Sequence, residues 1–220
     1  MTKHLKEMTG KTEYKNILER FLQKIFSKGY NNVEEQLDVY GTEDKANFYQ
    51  DSLIKMGGWA APAKVCSYVM LNHGSKVSIA DVGCGTGMLG KIFKAGNYHD
   101  VDGYDLSPAM LDISKPYYKT VKMCNIVKAP LDKKYDVITA SGILTRGHVD
   151  ATAAPMLAKS LKPGGELVAH HPLFDDYDYQ VDAGWTTQDY FEVKSRKEFV
   201  GYTYNGNDVK CELVVYKLKD

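Results

Sequence analysis

Residues 81–87, Asp-Val-Gly-Cys-Gly-Thr-Gly, set a carboxylate ahead of three closely spaced glycines, and Asp105 follows twenty residues after Gly85. These types at this spacing point to a nucleoside site. Gly83, Gly85 and Gly87 turn the chain tightly with no Cβ between backbone and ligand. An acid at the end of the next strand accepts hydrogen bonds from both ribose hydroxyls. Other residues suit a second substrate. His148 carries an imidazole whose ordinary pKa allows proton uptake near neutrality. Tyr40, Tyr49 and Trp59 offer aromatic faces that attract a cation and enclose an acceptor. His148 and Tyr49 are therefore the candidates for work on the acceptor. The competing readings are that His148 bonds only a loop carbonyl, and that Phe48 and Trp59 pack only into a core.

The charge beside the glycines separates two cofactor classes. Gly85-Thr-Gly-Met-Leu-Gly90 fits the dinucleotide pattern G-x-G-x-x-G with an acid at the expected distance, so an NAD(P)-binding oxidoreductase is one reading. A pyrophosphate, however, needs the glycines to follow the strand directly and open a helix whose N–H groups face the anion. Here Val82-Gly83-Cys84 intervene, and the Asp81 carboxylate repels phosphate while favouring an ammonium group. S-adenosyl-L-methionine has that ammonium, a ribose and no phosphate. For Cys84, a small side chain that fits the loop is the simpler account than a reactive thiolate, since nothing near it in sequence would ionise it.

The elements that must position these residues are legible as hydrophobic periods. Val77, Ile79 and Val82 suit a buried strand, and from there strands near 77–82, 101–104, 120–124, 135–140 and 166–170 alternate with helices. That alternation implies a parallel sheet with helices on both faces. Ser107-Pro108 is an N-cap followed by proline at the first helical position, and Pro116 ends that helix. Residues 193–204 and 209–217 flank Asn205-Gly-Asn-Asp208 and predict an antiparallel hairpin. Upstream, Ile17, Leu18, Phe21, Leu22, Ile25 and Phe26 form an amphipathic stripe over 12–28. Helices are predicted over 44–56 and 62–72, and Met56-Gly-Gly-Trp-Ala-Ala61 can hinge between them. The acidic, aromatic segment 173–182 follows strand five and reads equally as a lid over the acceptor or a solvated loop. His170 and His171 end that strand, and at most one of them can face the cleft because neighbouring side chains alternate.

On Asp81–Gly87, the chain resembles the class I S-adenosylmethionine-dependent methyltransferases. Gly103-Tyr-Asp-Leu-Ser-Pro-Ala-Met-Leu111, Tyr135-Asp-Val-Ile-Thr139 and Leu161-Lys-Pro-Gly-Gly-Glu-Leu167 are similar to that family's later motifs, and the likeness covers about residues 60–172. Gly142-Ile-Leu-Thr-Arg-Gly-His-Val-Asp150 and Gly58-Trp-Ala-Ala-Pro62 resemble the small methyltransferase-like proteins named after the Williams-Beuren deletion region. The resemblance implies a Rossmann-like seven-stranded, mostly parallel α/β sheet closed by a C-terminal antiparallel hairpin. It divides the chain into an N-terminal helical cap over 1–60 and a methyltransferase domain over 61–220. It also implies that Asp81 holds the methionine ammonium, directly or through water, and that Asp105 holds the ribose. Gly83, Cys84, Gly85 and Gly87 then line the cofactor, Leu106, Met110, Asn125 and Ile126 flank adenine, and Trp59 and Ser141 complete the set. Asn125 stands where the family often has an acid, and its amide carbonyl can still accept from the adenine amine.

Composition narrows the partners. Lys plus Arg equals Asp plus Glu at 28 each, so no global field draws the chain to nucleic acid or anionic lipid, and a small-molecule acceptor is expected. The lack of an Asn/Asp-Pro-Pro-Tyr/Phe motif, where Ser141-Gly-Ile-Leu stands, counts against base-amine methylation. Four scattered cysteines without a C-x-x-C pair predict neither zinc nor disulfides, and His170-His171 alone is a poor metal site. No long apolar run or signal-peptide core occurs, so a soluble cytoplasmic chain is expected. No feature specifies an oligomeric state. A non-catalytic S-adenosylmethionine-binding protein is the remaining alternative.

Overall fold

The computed structural model describes residues 40–55, 58–145, 148–149, 151–173, 190–204 and 207–219, with Glu34 and Leu37. The helix predicted over 12–28, the segment beyond Leu173 up to 182, and the 205–206 part of the predicted turn lie outside these. So do residues 56–57 of the predicted hinge.

Short apolar runs and turn residues produce the alternating elements. Helices α1 (Glu43–Lys55) and α2 (Ala61–Asn72) precede β1 (Ile79–Val82). Then come α3 (Met88–Ala95), β2 (Val101–Asp105), α4 (Pro108–Ser114), β3 (Thr120–Met123) and β4 (Tyr135–Ser141). Helix α5 (Ala154–Lys159) leads into β5 (Leu161–Pro172), and β6 (Phe191–Tyr204) and β7 (Asn207–Leu218) form the expected hairpin. Pro62 sits in the first turn of α2, and Pro108 follows the Ser107 cap of α4, whose hydroxyl accepts from the Met110 N–H at 3.3 Å. Asn207 and Asp208, expected in the turn, are instead the first residues of β7.

The seven strands lie in the order β3-β2-β1-β4-β5-β7-β6. Strands β1 to β5 are parallel, whereas β7 runs antiparallel to both β5 and β6. The chain reverses its direction of travel across the sheet between β1 and β4, which places a crevice beyond their carboxyl ends. Alternation divides the core between the two faces. Ile79, Val101, Val137, Val168 and Val215 pack with Val65, Val69 and Phe93 from α2 and α3. Ala80, Ile138, Leu167, Val214 and Tyr216 pack on the other face with Leu144 and Leu157.

Tyr118 shows why glycine recurs around the crevice. Its hydroxyl donates to the Asp81 carboxylate at 2.5 Å and accepts from the Gly90 N–H at 3.1 Å. A Cβ at Gly90 would fall 2.4 Å from the Tyr118 ring, and one at Gly103 would fall 2.9 Å from its other side. The third glycine of the G-x-G-x-x-G pattern therefore packs against a phenol. Gly90→Ala should lower unfolding stability by about 1–3 kcal/mol, the usual cost of overpacking a filled site, as read by urea denaturation. A wild-type midpoint would show that Tyr118 moves at no cost.

Candidate active site

Beyond the carboxyl ends of β1, β2 and β4 lies a cavity of about 490 Å³. That is a normal size for a small-molecule site. The glycine loop forms its floor. Gly83 (φ +69°) and Gly85 (φ +50°) occupy left-handed backbone, and a Cβ at Gly83 would overlap Ile143 at 2.0 Å. At Gly85, by contrast, the added Cβ would meet nothing within 4 Å, so the bare backbone faces open cavity.

Asp105 ends β2 and is held by the chain around it. Its Oδ2 accepts from the Gly85 N–H and its Oδ1 from the Ser107 N–H, each at 2.9 Å. Burial pushes its pKa up, and the backbone N–H groups of Ser107, Gly85 and Leu106 pull against that. The carboxylate is thus fixed in orientation, with lone pairs left over toward the cavity it lines. Leu106, Met110 and Ile126 supply apolar wall beside it. Asn125 also lines the cavity, but its carbonyl accepts from the Val127 N–H at 3.1 Å, so a local turn already uses part of that acceptor.

Another part of the lining is aromatic. Tyr40 and Tyr49 meet edge to face at 5.2 Å between ring centres. The Tyr40 hydroxyl lies 3.2 Å from His148 Nε2, and the Tyr40 carbonyl accepts from the Ser107 hydroxyl at 2.8 Å. Ser107 therefore caps α4 and fastens the Tyr40 segment with one side chain. Trp59 completes this wall. The Ala60 N–H, next in the chain, donates to the Gly201 carbonyl of β6 at 2.7 Å.

The cavity thus brings together His148, Tyr49, Trp59, Gly83, Cys84, Gly85, Asp105, Leu106, Met110, Asn125, Ile126 and Ser141. Two expected residues, Asp81 and Gly87, do not line it. Asp81 is 1% exposed and shares the face of Ile79. Its oxygens accept from the Tyr118 hydroxyl and, at 2.9 Å, from the Thr139 hydroxyl. Burial pushes its pKa up to about 7 against those two donors. Gly87 caps α3 at φ +89°, where a Cβ would sit 2.8 Å from Tyr117. It serves close packing of α3 on the segment after α4. Cys84 is buried with its thiol pKa raised, which agrees with the unreactive reading. Sequence reasoning missed Leu37, Thr86, Met88, Ser107, Gly142 and Val149 on the wall. Ser107 carried a signal in its N-cap position, Thr86 and Met88 in the glycine pattern, and Gly142 and Val149 in the Gly142–Asp150 stretch, whereas Leu37 carried none. Neither His170 nor His171 lines the cavity. Among the described residues no metal-binding cluster occurs, and no helix is long and apolar enough to cross a membrane.

Comparisons with known proteins agree with this geometry. A family model for a methyltransferase domain matches residues 10–200. The human methyltransferase-like protein 27 is 33% identical over 92 residues, which is 40% of this chain and 37% of that protein's length. The N-methyltransferase NodS from Bradyrhizobium japonicum WM9, in complex with S-adenosyl-L-homocysteine, aligns at 15% identity and a TM-score of 0.57, covering 94% of this chain and 99% of its own. The glycopeptide N-methyltransferase MtfA complexed with S-adenosyl-L-homocysteine aligns at 12% identity and 0.59, covering 77% and 97%. At these identities both structures bear on the fold.

Proposed function

This chain belongs to the methyltransferase-domain family, and from that premise we propose that it carries the methyl group of S-adenosylmethionine to a small-molecule acceptor. The observation that carries the reading is Asp105, oriented by Gly85 and Ser107 at the edge of a glycine-floored cavity. The residues present fit the cofactor. The open space at Gly85 admits a ligand against bare backbone, Asp105 would hold the ribose, and Met110, Leu106 and Ile126 would flank adenine. Asp81, beneath the loop, would supply negative charge for the ammonium without touching it. The likeness in fold to two S-adenosylhomocysteine-bound structures supports the same assignment. The finer placement beside the Williams-Beuren-named proteins rests on Gly142–Asp150 and Gly58–Pro62.

Bound there, S-adenosylmethionine supplies a methyl group on a positively charged sulfur with a good leaving group. The protein's part is chiefly to hold the acceptor in line and keep water out, which can account for several kcal/mol of barrier. Tyr40, Tyr49 and Trp59 form the water-excluding wall. The segment up to residue 60 thus acts as the cap through its described residues. His148 lines the same cavity, and its imidazole can take the acceptor's proton while the Tyr40 hydroxyl lies 3.2 Å from Nε2.

Isothermal calorimetry on the full chain should show S-adenosylhomocysteine binding in the micromolar range, about 7–9 kcal/mol, with no heat from nicotinamide dinucleotides. The reverse pattern would replace the methyltransferase reading with the oxidoreductase one. Asp105→Ala should weaken the homocysteine ligand by about 1.5–3 kcal/mol, the value of charge-assisted hydrogen bonds to a ribose. An unchanged dissociation constant in a folded variant would take Asp105 off the ribose.

A further inference from the structure

Two buried polar side chains, one lining the cavity and one beside it, lack hydrogen-bond partners among the described residues. Ser141 and His170 are register neighbours on β4 and β5, so their side chains leave the same face of the sheet. They are 8% and 3% exposed, and among the described residues neither the Ser141 hydroxyl nor either His170 ring nitrogen has a hydrogen-bond partner. Buried polar groups are almost always paired, because leaving one unpaired away from water is costly. The adjacent His171 shows the satisfied alternative on the other face. Its Nδ1 lies 2.9 Å from the Leu144 carbonyl and its Nε2 3.0 Å from the Tyr216 hydroxyl.

Ser141 lines the cavity, whereas His170 stands behind Trp59, whose ring lies edge-on at 6.3 Å. Phe199 flanks His170 from the hairpin at 6.1 Å. Trp59 can be re-aimed. It rests on the bare backbone of Gly142, where a Cβ would stand 3.4 Å from the indole, and it follows Gly58, which has φ +82° and open space around it.

We propose that Ser141 and His170 are the acceptor-binding pair, and that they take the hydroxyl group of an uncharged, planar, phenol-type acceptor when the Trp59 ring swings aside. The proposal rests on the methyltransferase reading above. A neutral imidazole offers one N–H and one lone pair on divergent sides of the ring, and a hydroxyl both donates and accepts, so an acceptor hydroxyl can bond one His170 nitrogen and the Ser141 hydroxyl together. Burial, and then the neighbouring His171, pushes the His170 pKa down to about 3. It is therefore a fixed hydrogen-bond partner and not a base. The ionised side chains among the described cavity residues, Asp105 and Lys128, lie at the β2–β3 side. Around Trp59 the described wall offers Tyr40 and Tyr49 and no counter-ion for a carboxylate or phosphate acceptor.

The test uses the full chain saturated with S-adenosylhomocysteine and four probes: p-cresol, toluene, benzylamine and benzoate. Nitrogen-15 spectra of the histidine rings, assigned through His170→Leu, should show p-cresol shifting the His170 signals. Toluene, benzylamine and benzoate should each bind at least tenfold more weakly. In the Ser141→Ala/His170→Leu double variant, p-cresol affinity should fall at least tenfold, whereas His170→Leu alone, at a residue that does not line the cavity, should keep S-adenosylhomocysteine affinity within twofold. The double variant should also melt no lower than wild type, because it loses unsatisfied groups. Ser141→Ala alone, which removes one oxygen, should lose part of the cresol affinity. Equal binding of toluene and p-cresol, unchanged cresol affinity in both variants, or a lowered melting temperature would each overturn the pair. Preference for benzylamine or benzoate would overturn the hydroxyl class. Failure of the wild type to take up S-adenosylhomocysteine would sink the methyltransferase reading instead.

Discussion

Asp81→Asn should make the empty protein more stable at pH 8 and its cofactor complex weaker. The carboxyl is 1% exposed, and burial lifts its pKa from the ordinary 3.8 to about 7 in the folded chain. Between those values the folded chain holds a proton that the unfolded chain has released. Unfolding stability is therefore full below about pH 4, falls as pH rises, and levels off above 7. The width of that window sets an upper bound of about 4 kcal/mol. Asparagine keeps the shape between Tyr118 and Thr139 but never ionises, so urea melts of the variant should be nearly flat across the window and more stable than wild type at its upper end. Binding should move the other way. A buried negative charge under the loop favours a ligand ammonium, so wild-type affinity for S-adenosylhomocysteine should rise from pH 5.5 to 7.5. The variant should be at least tenfold weaker at pH 8, about 1.4 kcal/mol, with no such rise. Equal affinity at pH 8 would confine Asp81 to packing.

His148→Ala should leave cofactor affinity nearly intact and slow methyl transfer by about 10²- to 10⁴-fold, the range for losing a positioned acid or base. His148 lines the cavity and lies 3.2 Å from the Tyr40 hydroxyl, and the proposed role on the acceptor rests on that placement. The acceptor must first be identified by labelled methyl transfer into a fractionated cell extract. Single-turnover rates then separate chemistry from binding. Tyr40→Phe should give a smaller loss in the same direction, since it removes only the group that orients the ring. A variant that loses stability but turns over normally would leave proximity and the aromatic wall as the source of catalysis.

The nucleoside half of the site was legible because it is local. Glycine loop, second strand and capped helix fall close together in the chain around one strand-helix-strand unit, and the parallel direction of the strands puts their carboxyl ends at one edge. Position along the chain did not reveal what each group is bonded to. Asp81 has the family spacing, yet its partners Tyr118 and Thr139 come from distant elements and draw it under the loop. Gly87 follows the same glycine rhythm as Gly85 but answers to Tyr117. The fifth strand, expected from 166, begins at Leu161 because Tyr135 pairs with Leu161 before a register irregularity leaves residues 162–165 unpaired with β4, and regular pairing resumes at Val137 and Glu166. Leu37, Gly142 and Val149 reach the wall through tertiary packing, which leaves no periodic trace in the sequence.

The hydrogen bond from the Ala60 N–H to the Gly201 carbonyl bears on the order in which the molecule assembles. Closing the glycine loop onto Asp105 joins chain segments that are near neighbours, and the entropy of that closure is small. Setting Trp59 in place requires the hairpin from the far end of the chain, and such distant contacts are the slow ones in folding. A newly made chain thus acquires its nucleoside floor first and its acceptor wall last. Amide exchange should follow the same sequence in reverse, with Ala60 exchanging before Gly85. The enzyme can in this way lose its grip on an acceptor while it still holds the donor.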